Sequence, residues 1–320
     1  MIHSNNQPLV AIHCLVYNHE PYLRDCFEGF VMQQTDFSFI AIVHDDASTD
    51  NSVTIIREYE TKYPHIFKPI YEESNVYSVG GFDAISQIMN KAIDVCGAKY
   101  IALCEGDDYW TDPYKLQKQV DVLEKYSNYT MCYTNYVTVD HHNNPISWTN
   151  KDINIARSKT GDILPELLIG NFVQTCTMLY RCDVCKDSEF LARLDYEYAL
   201  QNAINGECVF LNDITACYRL QPNSAIHTLN EQLQCITIDI WRRFVNRYVN
   251  QREYKRTLFK HIHIMSIISA RMISMARSKN QNDKEVVDTI LSANPILYIY
   301  MPIGLLIRAY NVFRKQFMKR

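Results

Sequence analysis

Over the first two thirds of the chain, apolar positions fall into short runs of β-forming residues separated by amphipathic stretches. Leu9 to Val16 is the first such run, and it stops at Tyr17-Asn18-His19-Glu20-Pro21. A helical pattern follows, with Tyr22, Leu23, Cys26, Phe27, Phe30 and Val31 on one face. Phe37 to Val43 reads as a second strand, ending in His44-Asp45-Asp46-Ala47-Ser48-Thr49-Asp50. There Ser48 or Asp50 can cap a helix over 51–62. Ile66 to Tyr71 reads as a third strand and Phe82 to Cys96 as a helix. Lys99 to Cys104 is a fourth strand, closing on Glu105-Gly106-Asp107-Asp108-Tyr109-Trp110. Such alternation with short links predicts an α/β domain whose mostly parallel, Rossmann-like sheet carries helices on both faces.

Beyond it, Thr130–Val139 reads as a strand and the polar stretch Asp140–Lys159 as a loop over the site. Phe172–Arg181 and Cys208–Arg219 read as strands around a helix at 191–205, and Leu229–Ala276 is helical in pattern. No internal repeat or low-complexity tract interrupts this order. At 47% apolar residues, 320 residues can bury a sizeable core and suit one large domain with an appendage, or two small domains.

Charge is divided unevenly. Residues 1–240 hold 16 Lys and Arg against 32 Asp and Glu, and residues 241–320 hold 16 against 4. An acidic body argues against a nucleic-acid enzyme, because a polyphosphate track needs a basic groove. The eleven cysteines are scattered, several inside apolar strands (Cys14, Cys104, Cys132), as reduced thiols in a cytoplasmic protein are. Cys182 and Cys185 form one Cys-x-x-Cys with no second pair at zinc spacing, which argues against a metal or redox role. The opening Met1-Ile2-His3-Ser4-Asn5-Asn6 lacks the basic and apolar regions of a signal peptide.

In an open parallel sheet, ligands bind beyond the carboxyl ends of the strands. The densest carboxylates lie there: Asp45 and Asp46 after strand two, Glu105, Asp107 and Asp108 after strand four. Adjacent carboxylates repel unless something positive sits between them, and hard divalent cations take oxygen ligands. The residues therefore point to an acidic rim that recruits a metal with a phosphorylated ligand. By itself this also suits a phosphatase or a nucleotidyltransferase, although no glycine-rich basic phosphate loop opens the chain.

The residues Val10-Ala11-Ile12-His13-Cys14-Leu15-Val16-Tyr17-Asn18, Tyr22-Leu23, Gln34-Thr35 and His44-Asp45-Asp46-Ala47-Ser48-Thr49-Asp50 resemble the opening of family-2 glycosyltransferases. Cys104 to Pro113, followed by Lys115-Leu116-Gln117-Lys118-Gln119, resembles that family's metal-binding segment. The resemblance covers roughly residues 8–220 in the family's order. It implies a GT-A catalytic domain over 1–225, a helical C-terminal region over 226–320, and inverting transfer of one sugar. By resemblance, Tyr17 would stack on the nucleotide base and Asp46 would bond its edge. Asn75 would lie in the loop beside the nucleotide, where Val79 stands in place of a basic residue common in relatives. Asp107 and Asp108 would serve a Mn2+ or Mg2+ ion and the diphosphate, with Asp108 the direct ligand, and Glu105 stands where many relatives have Asp. Asp195 resembles the family's base, with Glu197 as fallback, although an Asp at a helix start also serves as a cap.

Gln174 or Thr175 would either touch sugar hydroxyls or simply alternate along a strand. Arg219 would meet the diphosphate or form a structural salt bridge. His13, His19 and His44 read as structural hydrogen-bonders. The Gln-x-x-Arg-Trp motif of processive synthases is missing, in keeping with single addition. The implied partners are a nucleotide-sugar donor, a UDP-sugar foremost, and a glycan or lipid-linked acceptor. Ile296–Tyr310 is apolar, broken by Pro302 and followed by Arg314, Lys315, Lys319 and Arg320. It falls short of the ~20 residues of a spanning helix and suits an anionic membrane surface at the inner face of the plasma membrane. A docked terminal helix or a dimer contact is the equal alternative. A degenerate glycan-binding module that kept the fold is the non-enzymatic one, against which Asp46, Asp107, Asp108 and Asp195 stand intact.

Overall fold

The computed structural model describes residues 7–147, 154–185, 195–221, 240–246, 258–277 and 281–293, with 297 and 300. The chain divides into two compact units, one of residues 1–162 and 172–222, the other of residues 163–171 and 223–320. In the first unit, β1 (Val10–Val16), α1 (Leu23–Val31), β2 (Phe39–Asp45), α2 (Ser52–Lys62), β3 (Phe67–Tyr71), α3 (Val76–Cys96) and β4 (Tyr100–Leu103) follow in turn. Then come β5 (Tyr109–Trp110), α4 (Lys115–Lys125) and β6 (Tyr129–Val139). After α5 (Leu164–Ile169), which belongs to the second unit, the first resumes with β7 (Leu179–Arg181), α6 (Asp195–Asn205) and β8 (Glu207–Arg219).

These strands form one sheet in the order β3-β2-β1-β4-β7-β6-β8-β5. β3, β2, β1 and β4 pair in parallel, as does β6 with β8, while β4–β7, β7–β6 and β8–β5 are antiparallel. The expected alternating, mostly parallel sheet is present. β1 and β4 are buried on both faces, which is why they read as unbroken apolar runs. On one face Ile12, Cys14, Val16, Ala41 and Val43 meet α1, α2 and α4 through Phe27, Phe30, Ile56, Tyr59 and Leu116. Phe27 packs edge-on against Phe67 (4.9 Å) and Tyr59 (5.1 Å), and Phe30 against Trp110 (5.0 Å). Each buried aromatic of this kind contributes about 1.5–3 kcal/mol by burial. The opposite face carries His13 and His44, both buried. Burial, then the neighbouring His44, pushes His13 down to about 4, so it is neutral at pH 7 and suits the structural part expected of it.

Four boundaries differ from the sequence reading. α3 starts at Val76, six residues early, because Asn75 caps it through its Oδ1, which accepts the Ser78 N–H (2.6 Å). The helical course is interrupted at Gly81, which adopts φ 62°, ψ −159°. α2 is preceded by Asn51 without a side-chain cap. Asp50 instead accepts the Ser52 N–H at 2.9 Å and the Glu20 N–H at 3.0 Å, and Ser48 accepts the Asn18 N–H. Phe172–Arg181 is a strand only from Leu179, since Thr175–Thr177 closes a 3-10 turn in which Thr177 N–H bonds Gln174 O (3.0 Å). Within 140–159, residues 154–157 are helical and 148–153 lie outside the described residues.

In the second unit, residues 240–246, α7 (Leu258–Ala276) and α8 (Gln281–Ala293) are helical. Arg271 lies over the Trp241 ring (4.9 Å) and donates to Leu168 O (2.9 Å), tying α5 to α7. The basic apolar tail falls almost wholly outside the described residues. Among those residues, no helix is long and apolar enough to cross a membrane.

Candidate active site

Three loops leave the carboxyl ends of β1, β2 and β4, beside the point where the strand order reverses. The first two are laced together. Asn18 N–H bonds Ser48 Oγ (2.9 Å), Thr49 N–H bonds Asn18 Oδ1 (2.8 Å), and His19 N–H bonds Ser52 Oγ (3.0 Å). Asn18 (φ 55°) and Ala47 (φ 57°) are held in left-handed conformations by these bonds, which an alanine adopts only when its surroundings impose it. Tyr17 stands at the end of β1 with 47% of its surface exposed, a flat ring open to a ligand.

Asp46 turns the other way. Its Oδ1 accepts the Val76 N–H (2.6 Å), its Oδ2 the Tyr77 N–H (3.1 Å), and its carbonyl the Asn75 side-chain amide (3.2 Å). Asp46 and Asn75 thus form one cap at the start of α3. Each carboxylate oxygen keeps a further lone pair.

The third loop carries the acidic segment. Gly106 N–H bonds Leu15 O (2.9 Å) and Asp108 N–H bonds Glu105 O (3.1 Å), folding 105–108 against β1. A Cβ on Gly106 would meet His19 Nδ1, Leu23 Cδ2 and Val16 Cγ2 at 2.8–3.0 Å, so this close approach requires glycine. Trp110 anchors the far side, buried with its indole N–H on Cys176 O (2.9 Å). Lys115, also buried, lies over that indole (4.8 Å) and donates to Gln119 Oε1 (2.5 Å). Burial pushes its ammonium down to about 8.

Asp195 opens α6, where its Oδ2 accepts the Thr175 hydroxyl (3.1 Å) and its Oδ1 the Tyr196 N–H (2.7 Å). Asp195 stands at the first residue of α6, and the Thr175 bond gives it a partner from a separate segment. Glu105 keeps more than a third of its surface open. Loss of water around its carboxyl, then the charges of Asp107 and Asp195, pushes that group up to about 8. Asp108 is buried, and burial together with Asp107 and Glu105 pushes it well above the usual range. Tyr218 feels Asp108, Asp107, Glu105 and Asp195, and its phenol is pushed up by burial and by these charges. The charges of four carboxylates, Asp108 foremost, thus act on one tyrosine.

Arg219 completes the site from below. Its N–H bonds Asp108 Oδ1 (2.9 Å), its Nε bonds Asp107 O (2.7 Å), and its Nη2 pairs with Asp25 (3.1 Å). Its side chain is engaged in a structural ion pair, the second of the two roles weighed for it. Tyr218, Asn143 and Asp25 were not singled out in the sequence. Glu197 is buried on α6.

Among the described residues, no three His, Cys, Asp or Glu side chains stand close enough together to hold a metal ion. Asp107 and Asp108 supply hard oxygen donors on one loop, which fits a Mg2+-like ion that draws its remaining ligands from phosphate and water.

The sequence pattern of glycosyl transferase family 2 is matched over residues 12–188. An uncharacterized protein of Mycobacterium tuberculosis is 32% identical over 227 residues, 68% of this chain. The match spans 61% of that relative's own length. The Bacillus subtilis protein TuaG, named as a teichuronic acid biosynthesis glycosyltransferase, is 28% identical over 168 residues, 52% of this chain and 61% of its own. Among solved structures, Staphylococcus aureus TarS 1-349 with UDP superposes with TM-score 0.52 at 15% identity, over 94% of this chain and 91% of that one. The mannosyltransferase PcManGT of Pyrobaculum calidifontis, with GDP-Man and Mn2+, gives 0.51 at 12% identity, over 96% and 88%. At such identities these two likenesses establish the fold, that of GT-A glycosyltransferases.

Proposed function

This chain belongs to glycosyl transferase family 2, and on that premise we propose that it is an inverting transferase acting on a nucleoside-diphosphate sugar. It moves one sugar to a hydroxyl of a glycan or lipid-linked acceptor. The observation that carries the reading is that Glu105, Asp107 and Asp108 on one loop and Asp195 at the start of α6 act electrostatically on the same Tyr218. The donor's base stacks on Tyr17 and bonds a free lone pair of Asp46, whose orientation Asn75, Val76 and Tyr77 fix. A UDP-sugar is the foremost donor, and the UDP in the TarS structure supports that class. Asp107 and Asp108 hold a Mn2+ or Mg2+ ion, the direct bond falling to Asp108, and the Mn2+ in the PcManGT structure supports this choice. When bound, such an ion supplies positive charge to the leaving diphosphate.

Asp195 is the base. Oriented by the Thr175 hydroxyl, it takes the acceptor hydroxyl's proton as that oxygen attacks the anomeric carbon. The bond to the diphosphate oxygen breaks on the opposite face, and its electron pair leaves with the diphosphate. Residues 1–225 form the catalytic domain and 226–320 a helical region whose basic tail rests on an anionic membrane surface at the cytoplasmic face. Assembly of a surface polysaccharide is the setting, which the name of TuaG supports.

A thermal-shift screen of nucleotide sugars with and without Mn2+, followed by hydrolysis assays on each hit, tests the reading. Asp108→Asn abolishes the Mn2+-dependent shift. Asp195→Asn keeps donor binding and loses transfer, and transfer at the wild-type rate would remove Asp195 as base. Binding of a donor without turnover by the wild type would favour a degenerate binding module.

A further inference from the structure

The acidic loop 105–108 is bound to a buried cation. Arg219 has an acceptor on each guanidinium nitrogen: Nε on Asp107 O (2.7 Å), Nη1 on Asn143 Oδ1, and Nη2 on Asp25 Oδ2 (3.1 Å). The rings of Tyr22 (4.6 Å) and Tyr109 (5.2 Å) lie against it. Its backbone N–H holds Asp108 Oδ1 (2.9 Å). Asn143, at φ 67° in the turn that follows β6, returns its own amide to the same Asp25 oxygen (2.9 Å). One side chain therefore joins the end of β8, the acidic loop, the first turn of α1 and the turn at 140–144. These bonds use three of the guanidinium's five N–H groups and fix its plane between the Asp107 carbonyl, Asn143 and Asp25.

We propose that Arg219 is a positioning residue, which sets the Asp107–Asp108 pair in the arrangement that accepts a divalent cation and locks the 140–144 turn to that pair. This rests on the metal reading above. Partners outside the ligand set usually govern cation affinity by about 10- to 100-fold, and Arg219 is such a partner through its guanidinium on the Asp107 carbonyl, while the backbone N–H on Asp108 Oδ1 is kept in every variant. A lysine in its place can reach one acceptor but not the spread of them.

The test uses the full chain. Hydrogen–deuterium exchange without metal is compared for wild type, Arg219→Met and Arg219→Lys, with circular dichroism to establish folding. Segments 105–110 and 140–147 lose protection together in Arg219→Met, about tenfold or more, while β1 and β2 keep theirs. Unchanged exchange in either segment overturns the lock. Mn2+ binding is then followed by electron paramagnetic resonance of the free ion, with and without UDP. Arg219→Met weakens it by about 10- to 100-fold, Arg219→Lys recovers part of the loss, and Asp25→Asn costs only a few-fold. A folded Arg219→Met that binds Mn2+ as the wild type does overturns the positioning role. A wild type that binds no Mn2+ under either condition overturns the metal reading itself, a result separable from the exchange data.

Discussion

Replacing Gly106 by alanine tests the idea that close packing behind the acidic loop sets its position. The added Cβ would lie 2.8 Å from His19 Nδ1, 2.9 Å from Leu23 Cδ2 and 3.0 Å from Val16 Cγ2. Comfortable contacts need about 3.5–4.0 Å, so the loop or its three neighbours must yield by about 0.5–1 Å. The loop cannot retreat freely, because Gly106 N–H is bonded to Leu15 O at 2.9 Å. Overpacking of this kind costs about 1–3 kcal/mol. Because Asp107 and Asp108 follow at once, a displacement near 1 Å costs about 100-fold in turnover. Urea denaturation reads the first quantity, and hydrolysis of the nucleotide sugar returned by the screen reads the second. His19→Ala opens room on one side, so a double-mutant cycle should give a coupling of about 1 kcal/mol between positions 19 and 106. Gly106→Ala with wild-type midpoint and wild-type turnover would refute the reasoning.

Lys115 gives a pH signature. Its folded pKa of about 8 lies below the ordinary 10.5, so between these values the unfolded chain binds more protons and stability rises with pH, by about 3 kcal/mol in all. The unfolding free energy of wild type minus that of Lys115→Met should climb by this amount from pH 7 to 10.5, and parallel curves would exclude a desolvated ammonium. Thr175→Val removes the hydroxyl on Asp195 at nearly constant volume, and we expect kcat to fall about tenfold with donor KM unchanged, since charge-assisted bonds of this type orient the carboxylate. A raised KM at constant kcat would assign Thr175 to the donor instead. Deleting residues 294–320 should move the protein from membrane to soluble fractions, and identical fractionation of both forms ends the membrane reading.

The strand–helix alternation was legible because β1, β2 and β4 are buried on both faces and carry unbroken apolar runs, and because β3 is bounded by turn residues. Local patterns failed where a distant partner decides conformation. Thr175–Thr177 has strand-like residues but closes a 3-10 turn, and its Thr175 reaches Asp195 across twenty positions. α3 begins ahead of the expected Phe82 because Asn75 and Asp46, through bonds to Ser78, Val76 and Tyr77, hold a turn before Gly81. The site's acids were visible as clusters after strands. Their tether was not, since nothing local to Arg219 announces Asp25, 194 positions away, or Asn143, 76 away. Asp25 in isolation reads as a helix-surface charge.

The electrostatics supply the reason the proposed reaction needs a cation. Glu105 and Asp108 are both pushed toward their protonated forms, the first up to about 8, by burial and by each other's neighbours. Arg219 offsets only part of that charge, and its guanidinium is directed at the Asp107 carbonyl, Asn143 and Asp25, away from the open side. A diphosphate brought to this rim would add more negative charge where carboxylates already resist ionising. In the proposed reaction a positive ion between the two anionic partners would supply the attraction. The arginine's guanidinium is committed to the Asp107 carbonyl, Asn143 and Asp25. A mobile cation arriving with the donor, taking part of its shell from the phosphates themselves, would fill that place in the proposed reaction.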